Sequence, residues 1–312
     1  MEHVKVMTVA GPVAAGELGL TLHHEHVMST FGAELARYPI YDSTRLFEVV
    51  SPYLKFLRDL GVRTVVDCTA AYFGRHPEFL RKFALDSGLH ILTNTGYYGA
   101  ANDRYVPLHG FAETADQIAA RWIREWMEGI DGTDIYPGFI KTAVDAGPLS
   151  EIDRKLIIAA ARTHRQTGLT IQTHTGDNVV AANAILDILR QEGVHPGAWI
   201  WIHAHNLLSV ESAIRAAEQG AWISFDGLNS DTATHTSDLL QGMHTHGLLD
   251  HVLLSHDGDS YMNGVSRPYH FLMTDFIPLL KARGFTDPML QQLVVDNPSR
   301  AYAVQPRLIQ TS

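Results

Sequence analysis

Four histidines, one lysine and one aspartate have the types and the order needed to hold divalent cations: His24, His26, Lys141, His174, His203 and Asp257. His24 and His26 are two positions apart, so on a strand both rings point to the same face. Neutral imidazole is a standard ligand for Zn, Mn, Fe or Co. Lys141 sits inside the apolar run Gly-Phe-Ile-Lys-Thr-Ala-Val. Desolvation there favours the neutral amine, the form that reacts with CO2. The resulting carbamate would carry two oxygens and a negative charge, enough to bridge two cations. The alternative is an ammonium that snorkels to solvent. His174 and His203 each close an apolar run and together could ligate a second ion. His205, two residues after His203, could take its place or support it. Asp257 follows Val-Leu-Leu-Ser-His. It could ligate one ion and take a proton from an attacking hydroxide. The alternative is a helix-capping role. His23 and His256 point away from these groups by strand alternation.

These residues need elements that deliver them to one place. Eight short apolar runs read as strands: 20–27, 64–70, 90–98, 138–144, 170–175, 199–204, 222–228 and 252–258. Most are rich in Val, Ile, Leu or Thr, as strands buried on both faces should be. Helical periodicity fills 43–60, 114–127, 151–167, 178–191, 210–219 and 237–246, and again 270–283, 287–293 and 298–304. Gly61, Gly88, Gly168, Gly193 and Gly220 read as helix ends. Asn297 reads as an N-cap before Pro298. Strands alternating with helices predict an α/β protein, a (β/α)8 TIM barrel in a single domain over 1–312. The polar residues His24, His26, Asp67, Tyr98, Lys141, His174, His203, Asp226 and Asp257 end their runs. Only a barrel brings eight strand ends to one mouth, whereas an open sheet would scatter them.

Composition narrows the function. The chain has 312 residues, 24 basic against 34 acidic, for a formal charge of −10. No basic block stands out, which argues against a nucleic-acid partner. No apolar stretch approaches the roughly 18 residues of a membrane span, and the N-terminus lacks a signal-peptide pattern. Cys68 is the single cysteine, which fits a reducing cytoplasmic setting. The expected partner is a small-molecule substrate.

The ordered motifs resemble the phosphotriesterase family of the amidohydrolase superfamily, including its lactonases. The resemblance rests on Gly11-Pro-Val, Glu17-Leu-Gly, Thr21-Leu-His-His-Glu-His26, Gly138-Phe-Ile-Lys-Thr142, Thr173-His-Thr-Gly176, Leu254-Ser-His-Asp257 and Asn297-Pro-Ser-Arg300. It implies a binuclear centre in a (β/α)8 barrel. The more buried metal would take His24, His26 and Asp257, and the more exposed one His174 and His203. Carboxylated Lys141 and a hydroxide would bridge them. Zn is the usual metal, with Mn, Co or Fe as alternatives. Such enzymes hydrolyse lactones, esters and phosphotriesters, often as homodimers. Tyr98 matches a position where lactonases hold a tyrosine beside the bound ring; a core aromatic is the alternative. The chain departs from the family pattern in two places. Gly227 follows Asp226 where many relatives carry His or Arg, and Ala204-His205-Asn206 lacks the usual Asp. The proton relay behind the catalytic aspartate therefore does not carry over.

The expected function is a metal-dependent lactonase or esterase with promiscuous phosphotriesterase activity. An N-acyl amidase on the same centre is the first rival; it needs a proton donor such as His205 facing the substrate. A metal-dependent phosphoesterase would need a basic mouth. A non-catalytic metal-binding protein would not need Asp257. Arg104 and Arg267, in loops after strands, are expected either to hold an anionic group of the substrate or to be solvated surface residues.

Overall fold

The computed structural model describes residues 4–310. Its centre is a parallel barrel of β1 (Thr21–Glu25), β2 (Thr64–Asp67), β3 (His90–Leu92, resuming at Asn94–Thr95), β4 (Phe139–Ala143), β5 (Thr170–His174), β6 (Trp199–Ile202), β7 (Trp222–Phe225) and β8 (Val252–Leu254). Each strand pairs in parallel with the next in chain order. The break in β3 divides its pairing: the first segment bonds to β2 and the second to β4.

The ring closes between β1 and β8 through residues of the metal-ligand set. Asp257 N donates to His24 O at 3.1 Å and His26 N to Gly258 O at 2.8 Å. Glu25 tightens this seam. Its buried carboxylate accepts from Ser255 Oγ, His256 N, His256 Nδ1 and Gly258 N, all within 3.0 Å. A buried carboxylate is costly unless its lone pairs are met, and here four donors meet them.

Strand alternation sorts the core. Val65, Ile91, Trp199 and Trp201 belong to the main apolar cluster together with helical residues such as Leu54, Leu156 and Leu186. Their neighbours Val66, Leu92, Ile200 and Ile202 join Phe139, Leu253 and Tyr302 in a second cluster. These strands are buried on both faces, which is why they read as continuous apolar runs.

The outer helices are α1 (Ser43–Asp59), α2 (Pro77–Ser87), α3 (Ala115–Glu128), α4 (Glu151–Thr167), α5 (Val179–Gln191), α6 (Glu211–Glu218), α7 (Ala233–Thr245) and α8 (Leu272–Phe276 running into Ile277–Ala282). Local chemistry starts and stops them. Thr114 and Ser150 cap α3 and α4, and Gly88 and Gly168 end α2 and α4 in the left-handed conformation.

Three features differ from the sequence expectation. Helix α2 is present, although only its terminal Gly88 was anticipated. The turn at 272–276 is π-helical and widens α8. Asn297 is not an N-cap: it sits in helical conformation, fully buried, and its Nδ2 donates to Leu249 O and Val252 O at 2.7 Å each. It therefore fixes the chain entering β8.

Candidate metal centre

The strand ends bring His24, His26, Lys141, His174, His203 and Asp257 around one cavity of about 120 Å³. Tyr98 and Arg267 share its wall, as do Ser29, Phe31 and Phe73, which sequence reasoning missed. Phe31 and Phe73 lie in loops after β1 and β2, and a single aromatic in a loop carries no periodic signal. Larger openings of about 370 and 330 Å³ exist elsewhere, but neither includes any of these six residues.

Hydrogen bonds behind the rings decide which nitrogens face inward. His24 Nδ1 meets Gln172 Oε1 at 2.9 Å, and His26 Nδ1 meets Thr69 Oγ1 at 2.8 Å. Their Nε2 atoms then converge on Asp257 Oδ1 at 3.3 and 3.4 Å. His203 Nδ1 is held by Asp226 Oδ1 at 3.0 Å, which leaves its Nε2 free. Outer-shell acceptors of this kind fix the tautomer and orientation of metal-binding histidines. His174 packs against His203 with ring centroids 4.4 Å apart, and its Nδ1 lies 3.4 Å from Tyr98 Oη. One ligand atom each from His24, His203 and Asp257 lie within 4.8 Å of one another, close enough to share one ion.

His203 and Asp257 both adopt left-handed backbone conformations, with φ of 64° and 56°. Non-glycine residues held this way store strain that surrounding structure must support, and such strain clusters at functional sites.

The charge pattern suits cations. Lys141 is 1 % exposed, and among the described residues its Nζ has no hydrogen-bond or carboxylate partner. Burial lowers its pKa. Burial also lowers His24 to about 4 and His174 well below its usual value. Burial alone would raise the Asp257 pKa, but His203 and His24 outweigh it and hold the carboxylate well below its ordinary range. His203 is raised: burial opposes protonation, yet Asp226 and Asp257 prevail. Neutral His24 and His174, an ionised Asp257 and a Lys141 amine displaced toward its free base are protonation states that metal binding requires, whereas His203 would have to release the proton that Asp226 and Asp257 favour.

His205 and Arg104 stand apart from the cavity. His205 Nδ1 is bonded to Asp226 Oδ1 at 2.9 Å, so it supports the residue that supports His203. The close grouping of His203, His205 and Asp226 is thereby accounted for as a hydrogen-bonded network. Gly227 makes room for it: a Cβ there would lie 2.1 Å from His205 Nε2. Arg104 turns outward, donating to Gly32 O at 2.9 Å and lying over the Tyr105 ring. It does not line the cavity. Arg267 does reach the cavity, with Nη1 4.0 Å from Asp257 Oδ2. Arg267 comes from the segment after β8, whereas no residue of the segment 229–236 after β7 lines the cavity. Tyr98 stacks on Phe73 at 4.9 Å with the rings 2° from parallel, and burial raises its pKa, so its hydroxyl stays protonated. Gly96 lets the chain after β3 pass close to β4, since a Cβ there would sit 1.9 Å from Lys141 O.

The profile of the phosphotriesterase family matches residues 4–302. The chain belongs to that family. It is 28 % identical to the phosphotriesterase homology protein of Escherichia coli, covering 91 % of this chain and 98 % of that one. An N-acetyltaurine hydrolase of Xenopus tropicalis is 23 % identical over 95 % of this chain and 97 % of its own length. A triple mutant of the organophosphorus hydrolase from Deinococcus radiodurans superposes with a TM-score of 0.86 at 28 % identity, over 96 % of this chain and 98 % of that one. Two of these proteins, the N-acetyltaurine hydrolase and the organophosphorus hydrolase, are hydrolases by name, and the (β/α)8 fold agrees with the superposed structure. None of the helices in the described residues is long and apolar enough to cross a membrane.

Proposed function

We propose that this chain is a binuclear metal-dependent hydrolase that opens lactones or carboxylic esters, with Asp257 as proton acceptor and phosphotriesterase activity as a side reaction. The observation that carries the reading is Lys141, an amine buried without a partner at a cavity it shares with four histidines and a carboxylate. An ammonium there would repel cations, whereas its carbamate would bridge them. His24, His26 and Asp257 would hold one ion and His174 and His203 the other, with Zn the favoured metal and Mn, Co or Fe as alternatives. Bound metals supply Lewis acidity and lower the pKa of water toward neutrality.

The chain's own groups do the rest. Asp257 Oδ1 is engaged by the two histidines, so Oδ2 is the atom that accepts a proton from the attacking water. The small cavity, walled by Phe31, Phe73 and Tyr98, suits a compact apolar ring or acyl group. Tyr98 Oη, kept protonated, is a donor for the leaving oxygen.

Arg267 favours a second reading, an amidase whose substrate carries an anionic group. The N-acetyltaurine hydrolase relative makes that class worth testing. His205 does not line the cavity, so on this reading Asp257 would return the proton it accepts. A phosphoesterase is less well supported, since Arg267 is the single arginine at the cavity.

The test is acid release by the metal-loaded protein from aliphatic lactones, a phosphotriester and short N-acyl amines, with Asp257→Asn as control. Lactone turnover lost in the control supports the first reading. Amide turnover with silent lactones replaces it with the second. No turnover with any metal or substrate class defeats both. The cytoplasmic location and homodimeric state remain part of this proposal, checked by fractionation and by light scattering.

A further inference from the structure

We propose that the end of the barrel opposite the metal-ligand cluster carries a second binding site, for a small organic oxyanion with a flat body. A cavity of about 330 Å³ opens there between the α5–β6 and α6–β7 connections and the C-terminal segment. That volume falls within the roughly 300–1,000 Å³ of small-molecule sites. It exceeds what a bare phosphate needs, so a body accompanies the charge.

Two arginines make the lining positive in an acidic protein. Arg300, Arg307, His195 and His251 line the cavity, and no Asp or Glu does. Elsewhere Arg75, Arg121, Arg162 and Arg283 each meet a carboxylate within 2.8 Å. Arg300 and Arg307 meet none among the described residues. Arg300 makes one long bond, Nη1 to Asp250 O at 3.4 Å, and its guanidinium lies 5.3 Å from the Trp222 ring centroid. Most of its donors are therefore free for a ligand. Arg307 is anchored instead: Nη1 donates to Thr170 Oγ1, and Nη2 to the carbonyls of Arg300, Ala301 and Ala303. These bonds hold its position without neutralising its charge. Burial, and then Arg300, lower the Arg307 pKa to about 10, as expected for cations close together without an anion.

The remaining groups add direction. His195 Nδ1 accepts from Gly197 N at 3.0 Å, so its proton is on Nε2 and can be donated. Trp222 is 4 % exposed and supplies a planar wall. Arginine forks bind carboxylate and phosphate with two parallel hydrogen bonds, and they stack on flat rings. A carboxylate or a phosphate monoester on an aromatic body satisfies both requirements. Occupancy would also clamp the C-terminal segment, which is tied to the α5–β6 loop through His195 N to Arg307 O and Ile309 N to Gly193 O.

The test uses the full metal-loaded chain with indole-¹⁵N tryptophan, following the Trp222 Nε1–H resonance, assigned by its loss in Trp222→Phe. Phenyl phosphate, benzoate and inorganic phosphate are titrated separately. We expect a saturable Trp222 shift with at least one aromatic anion and a weaker one with inorganic phosphate; which aromatic anion binds more tightly distinguishes phosphate from carboxylate recognition. Arg300→Glu, at an exposed position, should weaken binding roughly tenfold or more without changing turnover. Arg300→Gln should weaken it less. Asp257→Asn should retain the shift, which separates this site from the metal centre. A Trp222 resonance unmoved by all three probes, or moved equally in Arg300→Glu, overturns the proposal.

Discussion

At the mouth of the barrel, Lys141 is buried with no acceptor for its amine, and Asp257 is strained into a left-handed conformation among three imidazoles. Toward the opposite end, His164 is equally buried yet uses both ring nitrogens: Nδ1 meets Leu169 O and Nε2 accepts from Arg307 N, each at 2.8 Å. The first arrangement leaves a buried amine without a partner; the second completes both ring nitrogens with backbone. Unmet capacity is costly to stability and is what a reaction centre needs. Completed capacity fixes where helix α4 and the C-terminal segment meet. The mouth is thus expected to respond to mutation in turnover and the far end in stability.

The largest test of that contrast is Asp257→Asn. Turnover of the best substrate should fall about 10³-fold or more, with the urea midpoint unchanged or raised. Loss of folding instead would make Asp257 a structural residue. Lys141→Met should come next: metal content by elemental analysis should fall with an affinity loss of roughly 100-fold. The metal-free protein should at the same time gain on the order of 1 kcal/mol, because a buried amine without a partner is removed. A destabilised metal-free variant would break the comparison.

His164 tests the far end through pH. Burial lowers its pKa from 6.5 to about 4, so the folded state keeps it neutral where the unfolded state protonates it. The unfolded state then binds more protons between these values, and stability falls as pH drops from 6.5 toward 4. The cost approaches about 3 kcal/mol at the acid end. Urea unfolding of His164→Gln should show a shallower decline than the wild type over that window. Identical slopes would remove His164 as the cause.

Smaller effects sharpen the boundary of the mouth. Gly227→Ala should push His205 off Asp226 and lower kcat about tenfold with KM nearly constant; a KM effect alone would point to substrate contact by His205. Arg104→Ala should change KM for anionic substrates less than about twofold, since its guanidinium faces Gly32 and Tyr105. Arg267→Ala is the paired measurement, and it should raise that KM more.

The barrel strands and all six ligand candidates could be read from the sequence because each strand is an apolar run ending in a polar residue. That signal comes from burial on both faces, and no tertiary knowledge is needed to see it. Helix boundaries followed where capping was local, as at Ser150 and Gly168. What escaped depends on distant partners. Glu25 reads as an ordinary acid until four donors from the last strand surround it. Asn297 resembles a cap until its amide reaches the β7–β8 connection. Phe31 and Phe73 line the cavity only because their loops fold inward, and Arg104 faces away for the same reason.

The β1–β8 seam has a consequence for biosynthesis. Glu25 and its donor Gly258 are 233 positions apart, and the ligands of one metal lie on both sides of that gap. At roughly 5–20 residues per second, His24 and His26 leave the ribosome tens of seconds before Asp257 exists. The nascent chain carries the first candidate ligands through that interval with nothing to complete the cluster. Were the proposed ion bound there, its site would be complete only after the last strand has closed the ring, so occupancy would report closure of the barrel.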